Sequence, residues 1–524
     1  MRLSHPFAAT RRQGREHSDF FGTLNSKAIL VAMTELGGLQ VVLALTGLIR
    51  NKVAAVYLKT SGMGEWSQIL AIATIAFTIV QFGMIVGLSR NTAAATTVEE
   101  RQRQLSVAGT LTMAVTLSVL LACFALFLAP ASPLVLAHLG ISRRLELALL
   151  LFIVLMAPVE ALRNNYLSFL QGILDVRGIA TKRSIAVIFA TLAAIPLVAY
   201  LGVVGACLQF ALGSLLLAVL LGQRCYQLGF HPLRFAWQRS TALQLAWLGI
   251  ASLLMSFSYS WVDVLIRAQL IRCAGLSEAG IYQAAFLLSS QVTQIALGSI
   301  GVFSLASIST SHEPEVLAQR LHLLYRVILP ISATGLGLLG LLERPVVRLL
   351  FSAEFTPSSE LLPLLLVANS MQAACWVAGA PLLGCGRVGV WLALQLTGAG
   401  LRYVTASIFL PRIGTQAIPV AFFLGQILDL STSLLYCTQK MQIRTSGPDL
   451  ARIAISAVLP GVLALIGLHA TPLAFTSGAL LLAGGAVALA PANSSRYAAK
   501  AVRLAFRGWQ PSCSPTPDGS EIRK

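Results

Sequence analysis

The sequence predicts an all-α protein that crosses a membrane about fourteen times. Hydrophobic residues make up 56% of the 524 positions and charged residues only 11%, which is roughly half the charged fraction of a soluble globular protein. The mean hydropathy is +0.77. The apolar residues form long runs, the Lys and Arg residues lie mostly in the gaps between these runs, and the pattern of runs repeats after the midpoint of the chain.

A transmembrane helix needs about 20 apolar residues to cross about 30 Å of hydrocarbon. This length predicts fourteen spans, with two short amphipathic segments between them at 132–142 and 344–357. The polar segments are an N-terminal stretch at 1–26, a linker at 223–241 and a basic, disordered tail at 492–524. The predicted spans cover about 27–49, 66–88, 106–129, 145–163, 184–200, 203–222, 242–270, 279–306, 327–342, 358–384, 389–410, 414–437, 451–468 and 473–491.

The basic residues predict the orientation. Lys and Arg outnumber Asp and Glu by 38 to 20. If the N-terminus is cytoplasmic, about 27 of the 38 bases fall on the cytoplasmic side and about 11 on the other, which is the bias that directs membrane insertion. We therefore expect both termini in the cytoplasm and no nucleic-acid binding. Residues 1–26 contain no cleavable apolar core, so the first span is expected to remain as an anchor.

The spans form an internal repeat. Spans 1–6, at 27–222, correspond in order to spans 7–12, at 242–437, and each half contains a tight hairpin between its last two spans. Because six is even, both halves enter the membrane from the same side. They are then related by an axis along the membrane normal, an arrangement that puts a substrate site between the halves. Spans 13 and 14, at 451–491, fall outside the repeat.

One motif recurs in both halves. Arg50 precedes Gly64-Glu-Trp66 by 14 residues, and Arg267 precedes Gly280-Ile-Tyr282 by 13 residues. A basic residue at the end of a span is usually an interface anchor. The recurrence favours a second interpretation, in which Arg50 and Arg267 face each other across a central cavity and form one site.

Charged residues inside spans are costly, at about 2.5–3.5 kcal/mol or more each, so each needs a partner or a function. Asp263 and Arg267 are i,i+4 neighbours, which predicts either an intrahelical ion pair or an arginine that Asp263 orients towards the cavity. Arg402 lies near mid-span, where Asp429 and Gln426 on the next span are its expected partners. A structural bridge and a cavity role both remain open for Arg402.

Further polar residues complete the candidate site. Glu35 in span 1 is either a buried neutral carboxyl or, with Asp263, a candidate for ion or proton coupling. Gln81 in span 2 and Gln283 and Gln294 in span 8 belong to polar stripes on corresponding spans. Such stripes serve either helix packing or a hydrophilic cavity wall.

No catalytic or metal motif is present. The eight cysteines form no CxxC pair and the seven histidines no ligand-spaced cluster, so we expect no metal site and no disulfide framework. There is no P-loop and no hydrolase motif. We therefore expect a protein that is not an enzyme and carries no cofactor.

Three segments carry a family resemblance: Gly47–Tyr57, Leu276–Gln283 and Leu349–Phe355. Together with their surroundings, over about 27–440, they resemble Wzx-type lipid-linked oligosaccharide flippases of the multidrug/oligosaccharidyl-lipid/polysaccharide exporter superfamily, in particular the O-antigen and enterobacterial common antigen branch. The resemblance implies a MATE-like, V-shaped pair of six-helix lobes. It also implies a cationic cavity, with Arg50 and Arg267 at the family's basic positions.

The resemblance implies a flippase of the bacterial inner membrane for a polyprenyl-diphosphate-linked oligosaccharide, used for cell-surface polysaccharides such as lipopolysaccharide or exopolysaccharide. A proton or sodium gradient is a possible driving force, and polysaccharide polymerase or assembly proteins are possible partners. The extra spans 13 and 14 depart from many Wzx proteins and are shared with the lipid II flippases of peptidoglycan synthesis. The alternatives are therefore a lipid II flippase, or a drug/cation antiporter of the same superfamily.

Overall fold

The computed structural model describes residues 26–130, 132–141, 145–232, 234–308, 313–469 and 472–489, and within them every regular element is a helix. Fifteen of these elements are α-helices. Their bounds are α1 Ser26–Gln81, α2 Met84–Ala94, α3 Val98–Leu128, α4 Ser132–His138, α5 Glu146–Gly172, α6 Val176–Gln227, α7 Arg239–Ala274, α8 Leu276–Ile308, α9 Pro314–Leu341, α10 Glu343–Leu350, α11 Ser358–Gly384, α12 Val388–Ile413, α13 Ala417–Lys440, α14 Gly447–His469 and α15 Pro472–Leu489.

The helices confirm a polytopic membrane protein. Seven helical stretches of the described chain are long and apolar enough to cross a membrane. Three of them contain 40, 52 and 53 residues, and each of these has the length for two crossings of about 20 residues. α5, α7 and α8, with 27, 36 and 33 residues, are also long enough. α6 turns at Gly202 (φ 56°), which is where the sequence predicts a tight hairpin.

Several predicted boundaries were wrong, and three of them have a local cause. α1 continues through the predicted turn after Gly47 and is interrupted only at Lys59 (φ 56°), because no proline interrupts this stretch. α3 begins eight residues early, behind an N-cap at Thr97 whose hydroxyl accepts from Glu100 N at 3.2 Å. α9 begins at Pro314 and takes in most of the predicted linker 307–326, since proline is favoured in the first turn of a helix.

The bundle has two ends, which we name after features of the chain. The kink end is where α1 bends at Lys59, and the Gly202 turn of α6 lies beside it, because a Cβ on Gly62 would lie 3.7 Å from Val203. The linker end is the opposite end, where residues 228–238 connect α6 to α7. In the predicted orientation, the linker end is cytoplasmic.

The linker follows α3 as an extended strap. Gln102 on α3 donates to His231 O at 3.0 Å and accepts from His231 N at 2.8 Å. Two turns along the helix, Thr110 donates to Ala236 O at 2.8 Å and accepts from Ala236 N at 3.1 Å. These two reciprocal pairs satisfy backbone groups of the strap and fix the start of α7 against the first half of the chain.

The extra helices, α14 and α15, pack on the second half of the chain. α14 contacts α9 and α11, and α15 contacts α9 and α14. At the kink end, the backbones of Gly467 on α14 and Gly340 on α9 nearly touch, because a Cβ on Gly467 would lie 2.4 Å from Gly340 O. At the linker end, Asp449 on α14 accepts from His322 on α9 at 2.8 Å. α14 is therefore attached to α9 at both ends of the bundle.

The Gly467 contact gives a prediction about stability. We expect Gly467→Ala to lower the melting temperature, because overpacking of this kind costs about 1–3 kcal/mol and exceeds the helix-propensity gain of about 1 kcal/mol from replacing glycine with alanine. Gly484→Ala on α15 is the matched control, since a Cβ there meets no atom within 4 Å. It should leave the melting temperature unchanged or raise it. Thermal unfolding in detergent measures both, and equal melting temperatures for the two variants would contradict the α9–α14 seam.

Candidate functional site

The two halves of the chain meet backbone to backbone at the kink end. A Cβ on Gly64 of α1 would lie 2.1 Å from Leu276 O, and one on Gly280 of α8 would lie 1.9 Å from Thr60 O. Only glycine allows this approach. The glycines of the two repeated motifs therefore pack against each other, so the sequence repeat corresponds to a contact between the halves.

Side chains close the same end around this glycine contact. The hydroxyl of Ser277 donates to Thr60 Oγ1 at 2.7 Å, which joins α8 to α1. Gln68 donates to Leu139 O at 2.6 Å and to Val264 O at 3.4 Å. Two further hydrogen bonds at this end run from Arg272 to His138 O at 3.2 Å and from Lys52 to Phe351 O.

Arg267 lies just inside this closure and is almost fully buried, at 6% exposure. Its guanidinium donates to Gln283 Oε1 on α8. It also lies over the rings of Tyr282 and Phe286, with 5.3 and 5.5 Å to their centroids. These contacts fix the orientation of the cation without neutralising it. Arg267 has no carboxylate partner in the described chain.

Arg50 lies deeper than the sequence predicts. Because α1 continues to Lys59, Arg50 is nine residues, or about 13 Å, from the kink rather than at the end of a span. It is half-buried, and its Nε has no hydrogen-bond partner in the described chain. One turn earlier on α1, a Cβ on Gly47 would lie 3.9 Å from Gln291 of α8. The face of α1 that carries Gly47 therefore lies next to α8.

The other charged residues have different partners from those expected. Asp263 pairs with Arg402 across α7 and α12, so the expected Asp263–Arg267 ion pair is wrong. The expected Arg402–Asp429 bridge is also wrong. Arg402 also lies 4.8 Å from the centroid of the Phe422 ring. Asp263 pairs with Arg402 rather than with Arg267 because Asp263 and Arg402 face each other between α7 and α12, where neither side chain is fully solvated.

Asp429 has a partner that sequence reasoning missed. The Tyr259 hydroxyl on α7 donates to Asp429 Oδ2 at 3.1 Å and also contacts Gln395 Oε1 on α12. Asp429 is 2% exposed. The sequence contained an indication of this contact. Tyr259 lies one helical turn before Asp263 and so on the same face of α7, the face that carries the polar contacts to α12. Together these side chains join α7, α12 and α13 in one polar network.

The remaining predicted residues are dispersed. Gln283 holds Arg267, whereas Gln81 ends α1 and is half-buried, and Gln294 on α8 is exposed. The side chain of Glu35 lies outside the described residues. The structure thus brings Arg267 together with Gln283 and Asp263 together with Arg402, one helical turn apart on α7. Tyr282, whose ring lies against Arg267, also interacts with Arg402 and links the two pairs. The structure does not gather all the predicted residues at one point.

A second feature missed by sequence reasoning lies in the short helix α10. Glu343 is fully buried, and neither carboxylate oxygen has a hydrogen-bond partner in the described chain. Burial raises its pKa to about 8, while the charge of Arg344 opposes the shift. α10 leads directly to Phe351, whose carbonyl accepts from Lys52 of α1. Glu343 therefore belongs to the part of the second half that contacts α1 at the kink end.

Comparison with solved structures shows which known fold the chain shares. No protein-family model and no curated protein sequence matches the chain. Among solved structures, the lipid II flippase MurJ in an inward closed conformation matches with a TM-score of 0.65 at 12% identity, covering 90% of this chain and 100% of its own. The chain has the fold of MOP superfamily transporters.

Two further structures support this fold. An inward-facing multidrug resistance MATE family transporter matches with a TM-score of 0.62 at 13% identity, over 79% of this chain and 98% of its own. A MOP superfamily transporter from Pyrococcus furiosus, described as having a binding pocket of reverse polarity, matches with a TM-score of 0.60 at 14% identity, over 79% and 96%. These similarities agree with the expected pair of six-helix lobes.

The Asp263–Arg402 pair gives a prediction from a double-mutant cycle. Arg402→Met leaves Asp263 without its cation, and we expect a loss of about 1–3 kcal/mol of stability, less than for a fully buried pair because Asp263 is 29% exposed. Asp263→Asn in the Arg402→Met background should restore part of that loss. Thermal unfolding of the four proteins measures the coupling. Strictly additive effects would show that the pair does not interact.

Glu343 gives a prediction about pH. Its folded-state pKa lies above the ordinary value of 4.5, so the closed structure binds an extra proton between pH 4.5 and about 8. Stability from this group is complete below pH 4.5 and is lost as the pH rises through about 8. Because each pKa unit is worth about 1.36 kcal/mol, the change is at most several kcal/mol.

Melting temperatures between pH 5 and pH 9 test this prediction. Glu343→Gln should remove most of the decline, because the amide cannot ionise. Glu354→Gln, at an exposed position eleven residues later, should retain the decline of the wild-type protein. If Glu343→Gln keeps the wild-type pH dependence, another group is responsible.

Proposed function

We propose that this protein is a flippase that moves a polyprenyl-diphosphate-linked oligosaccharide across the bacterial inner membrane by alternating access. The observation that carries the proposal is the chemistry of Arg267. It is a buried, oriented guanidinium with no carboxylate partner in the described chain, beside the contact between the two halves. A guanidinium fork suits the oxygens of a diphosphate.

Arg50 supplies the second cation of this site. Gly47 lies next to Gln291 of α8, so Arg50, three residues nearer the kink end, lies beside the region around Leu288. Gln283, which accepts from Arg267, lies five residues before Leu288, nearer the start of α8. The rise over these five residues is roughly 8 Å. The two arginines are therefore staggered along α8 rather than directly opposite each other. Two extended guanidinium side chains can reach a diphosphate placed between them.

The closed kink end supports the transport cycle that we propose. The hydrogen bonds between Thr60 and Ser277 and around Gln68 join the halves at the kink end through a few side chains. The halves also meet further towards the linker end, where a Cβ on Gly83 would lie 2.1 Å from Gly249 O of α7. The kink-end contacts would break when the halves separate, and the Gly64–Gly280 contact would open with them. The cavity would then be exposed at the kink end, which is the outer side in the predicted orientation.

A lipid II flippase is the second candidate substrate assignment. The MurJ structure covers 90% of the chain, whereas the MATE structure covers 79%. The wider match is expected if that flippase has counterparts of α14 and α15. Both candidates share a diphosphate-linked lipid, so the arginine site is the same for both and only the glycan differs.

Loss-of-function variants test the diphosphate site. We expect Arg50→Ala and Arg267→Ala each to reduce translocation of the lipid-linked glycan at least about tenfold, because charge-assisted hydrogen bonds are worth about 1.5–3 kcal/mol. Arg267→Lys keeps the charge but loses the fork, and should fall between wild type and alanine. Arg412→Ala, at an exposed position on α12, is the control and should retain full activity.

Translocation is measured in proteoliposomes, as the fraction of lipid-linked glycan that becomes accessible to an added glycosidase. A deletion strain identifies the substrate, since the sugars of the accumulated lipid-linked intermediate distinguish a surface polysaccharide from peptidoglycan. Full activity of both alanine variants would overturn the site assignment. Transport of an organic cation, with no accumulated lipid intermediate, would support an antiporter instead.

A further inference from the structure

A second group of cations lies in the first half of the chain, between α5 and the two arms of α6. Arg163 on α5 pairs with Glu160 at 2.5 Å and donates to Ser214 Oγ at 3.1 Å and to Asn164 Oδ1 at 3.4 Å. Glu160 and Asn164 are 2% and 5% exposed. This cluster is separate from the contact between the halves and from every residue assigned to the diphosphate site.

Arg183, on the first arm of α6, adds a cation that has no counterion. It is half-buried and makes no hydrogen bond or ion pair within the described chain. Arg163 donates to Ser214 on the second arm of α6, and the adjacent Gly213 packs on the first arm, because a Cβ there would lie 2.7 Å from Ala190 Cβ. Ala190 is seven residues, or about 10 Å, from Arg183 along the first arm, and the two guanidinium groups repel each other. Glu160 is already paired with Arg163. Asp175, the acid at the start of α6, is held by Arg224 through two hydrogen bonds of 2.7 and 3.0 Å, which keep its pKa below the usual range.

The cluster also has unused hydrogen-bond donors. The Nε of Arg163 is buried without a hydrogen-bond partner in the described chain, as is one acceptor of the cluster, Glu160 Oε1. Arg183 makes no hydrogen bond among the described residues. Two guanidinium groups and one carboxylate leave a net positive charge among these residues. Arg183 is half-buried at the edge of the predicted span 184–200, and an anion with several acceptor oxygens would satisfy both the charge and the donors.

We propose that the first half of the chain binds a phosphate-type oxyanion between Arg163 and Arg183. Arg183 is seven residues from the start of α6 at Val176, about 10 Å from the linker end. A phosphate group can therefore reach the site from that end, either as a lipid headgroup or as free phosphate. The site does not depend on the proposed flippase activity, and its variants test it separately from Arg50 and Arg267.

Anion binding to the purified full-length protein tests the proposal. Isothermal titration with inorganic phosphate and diphosphate in detergent measures the free anion, and native mass spectrometry after incubation with phosphatidylglycerol or phosphatidylcholine measures a lipid phosphate. We expect Arg183→Ala to weaken binding of whichever phosphate is bound at least about tenfold, and Arg183→Lys to weaken it less. Lys182→Ala, which removes the same charge one position away, should stay within about twofold of wild type.

A variant with the opposite expected sign excludes a merely structural effect. Glu160→Gln removes the carboxylate that competes for Arg163, so it should tighten binding several-fold although it removes an ion pair. Retention of phosphatidylglycerol without titration by free phosphate identifies a lipid headgroup, and the reverse identifies a free anion. Absence of both would overturn the proposal. Equal losses for Arg183→Ala and Lys182→Ala, or weaker binding in Glu160→Gln, would also overturn it.

Discussion

The close approach of α1 and α8 at Gly64 and Gly280 sets the geometry of the region between the two halves. Helix axes that pack at normal distance leave room for side chains, but here each glycine lies against the backbone of the other half. Gln283, three residues beyond Gly280 on α8, is thereby held near the contact and orients Arg267. The same approach brings Thr60 and Ser277 into hydrogen-bond distance. The closure and the buried cation are therefore parts of one contact, and separating the halves would change both.

Seven arginines of the described chain differ in whether a carboxylate lies beside them. Arg163, Arg224, Arg402 and Arg452 each pair with a carboxylate, which offsets part of their desolvation. The Arg402 pair joins α7 to α12, whereas the Arg163 and Arg452 pairs lie within one helix. Arg50, Arg183 and Arg267 have no such partner. A membrane protein gains nothing in stability from an unpaired buried cation. The two anion-binding proposals therefore rest on the unpaired group, and the paired group is not part of either site except through Arg163.

The fold was largely predictable from the sequence, because apolar run lengths and the positions of charged residues depend only on the thickness of the membrane. The Gly202 turn was predictable for the same reason, since two runs were separated by almost no polar residues. The continuation of α1 past Arg50 was not, because a basic residue at the end of an apolar run signals an interface as well as it signals a buried site. The depth of Arg50 depends on which helices pack around it, and that information is not local.

Which charged side chains pair with each other was the feature hardest to predict from the sequence. The i,i+4 spacing of Asp263 and Arg267 favours a local ion pair, but the partner of Asp263 lies 139 residues away on α12. Spacing along one helix shows which residues can meet, whereas interhelical packing decides which of them do. Glu343 was missed for a related reason: it sits at the start of an amphipathic segment where an exposed acid is the normal expectation, and only the packed structure shows that it is fully buried.

The distribution of carboxylates also bears on the antiporter alternative. An organic cation needs an ionised carboxylate that is free to bind it. In the described part of the chain, the buried acids Asp263 and Asp429 are engaged by Arg402 and Tyr259, and Glu160 is engaged by Arg163. Glu343 is unpaired, but burial raises its pKa to about 8, so it is uncharged over most of the physiological range. Among the described side chains, the free charge is therefore positive, which is the charge that the proposed phosphate-bearing lipid requires.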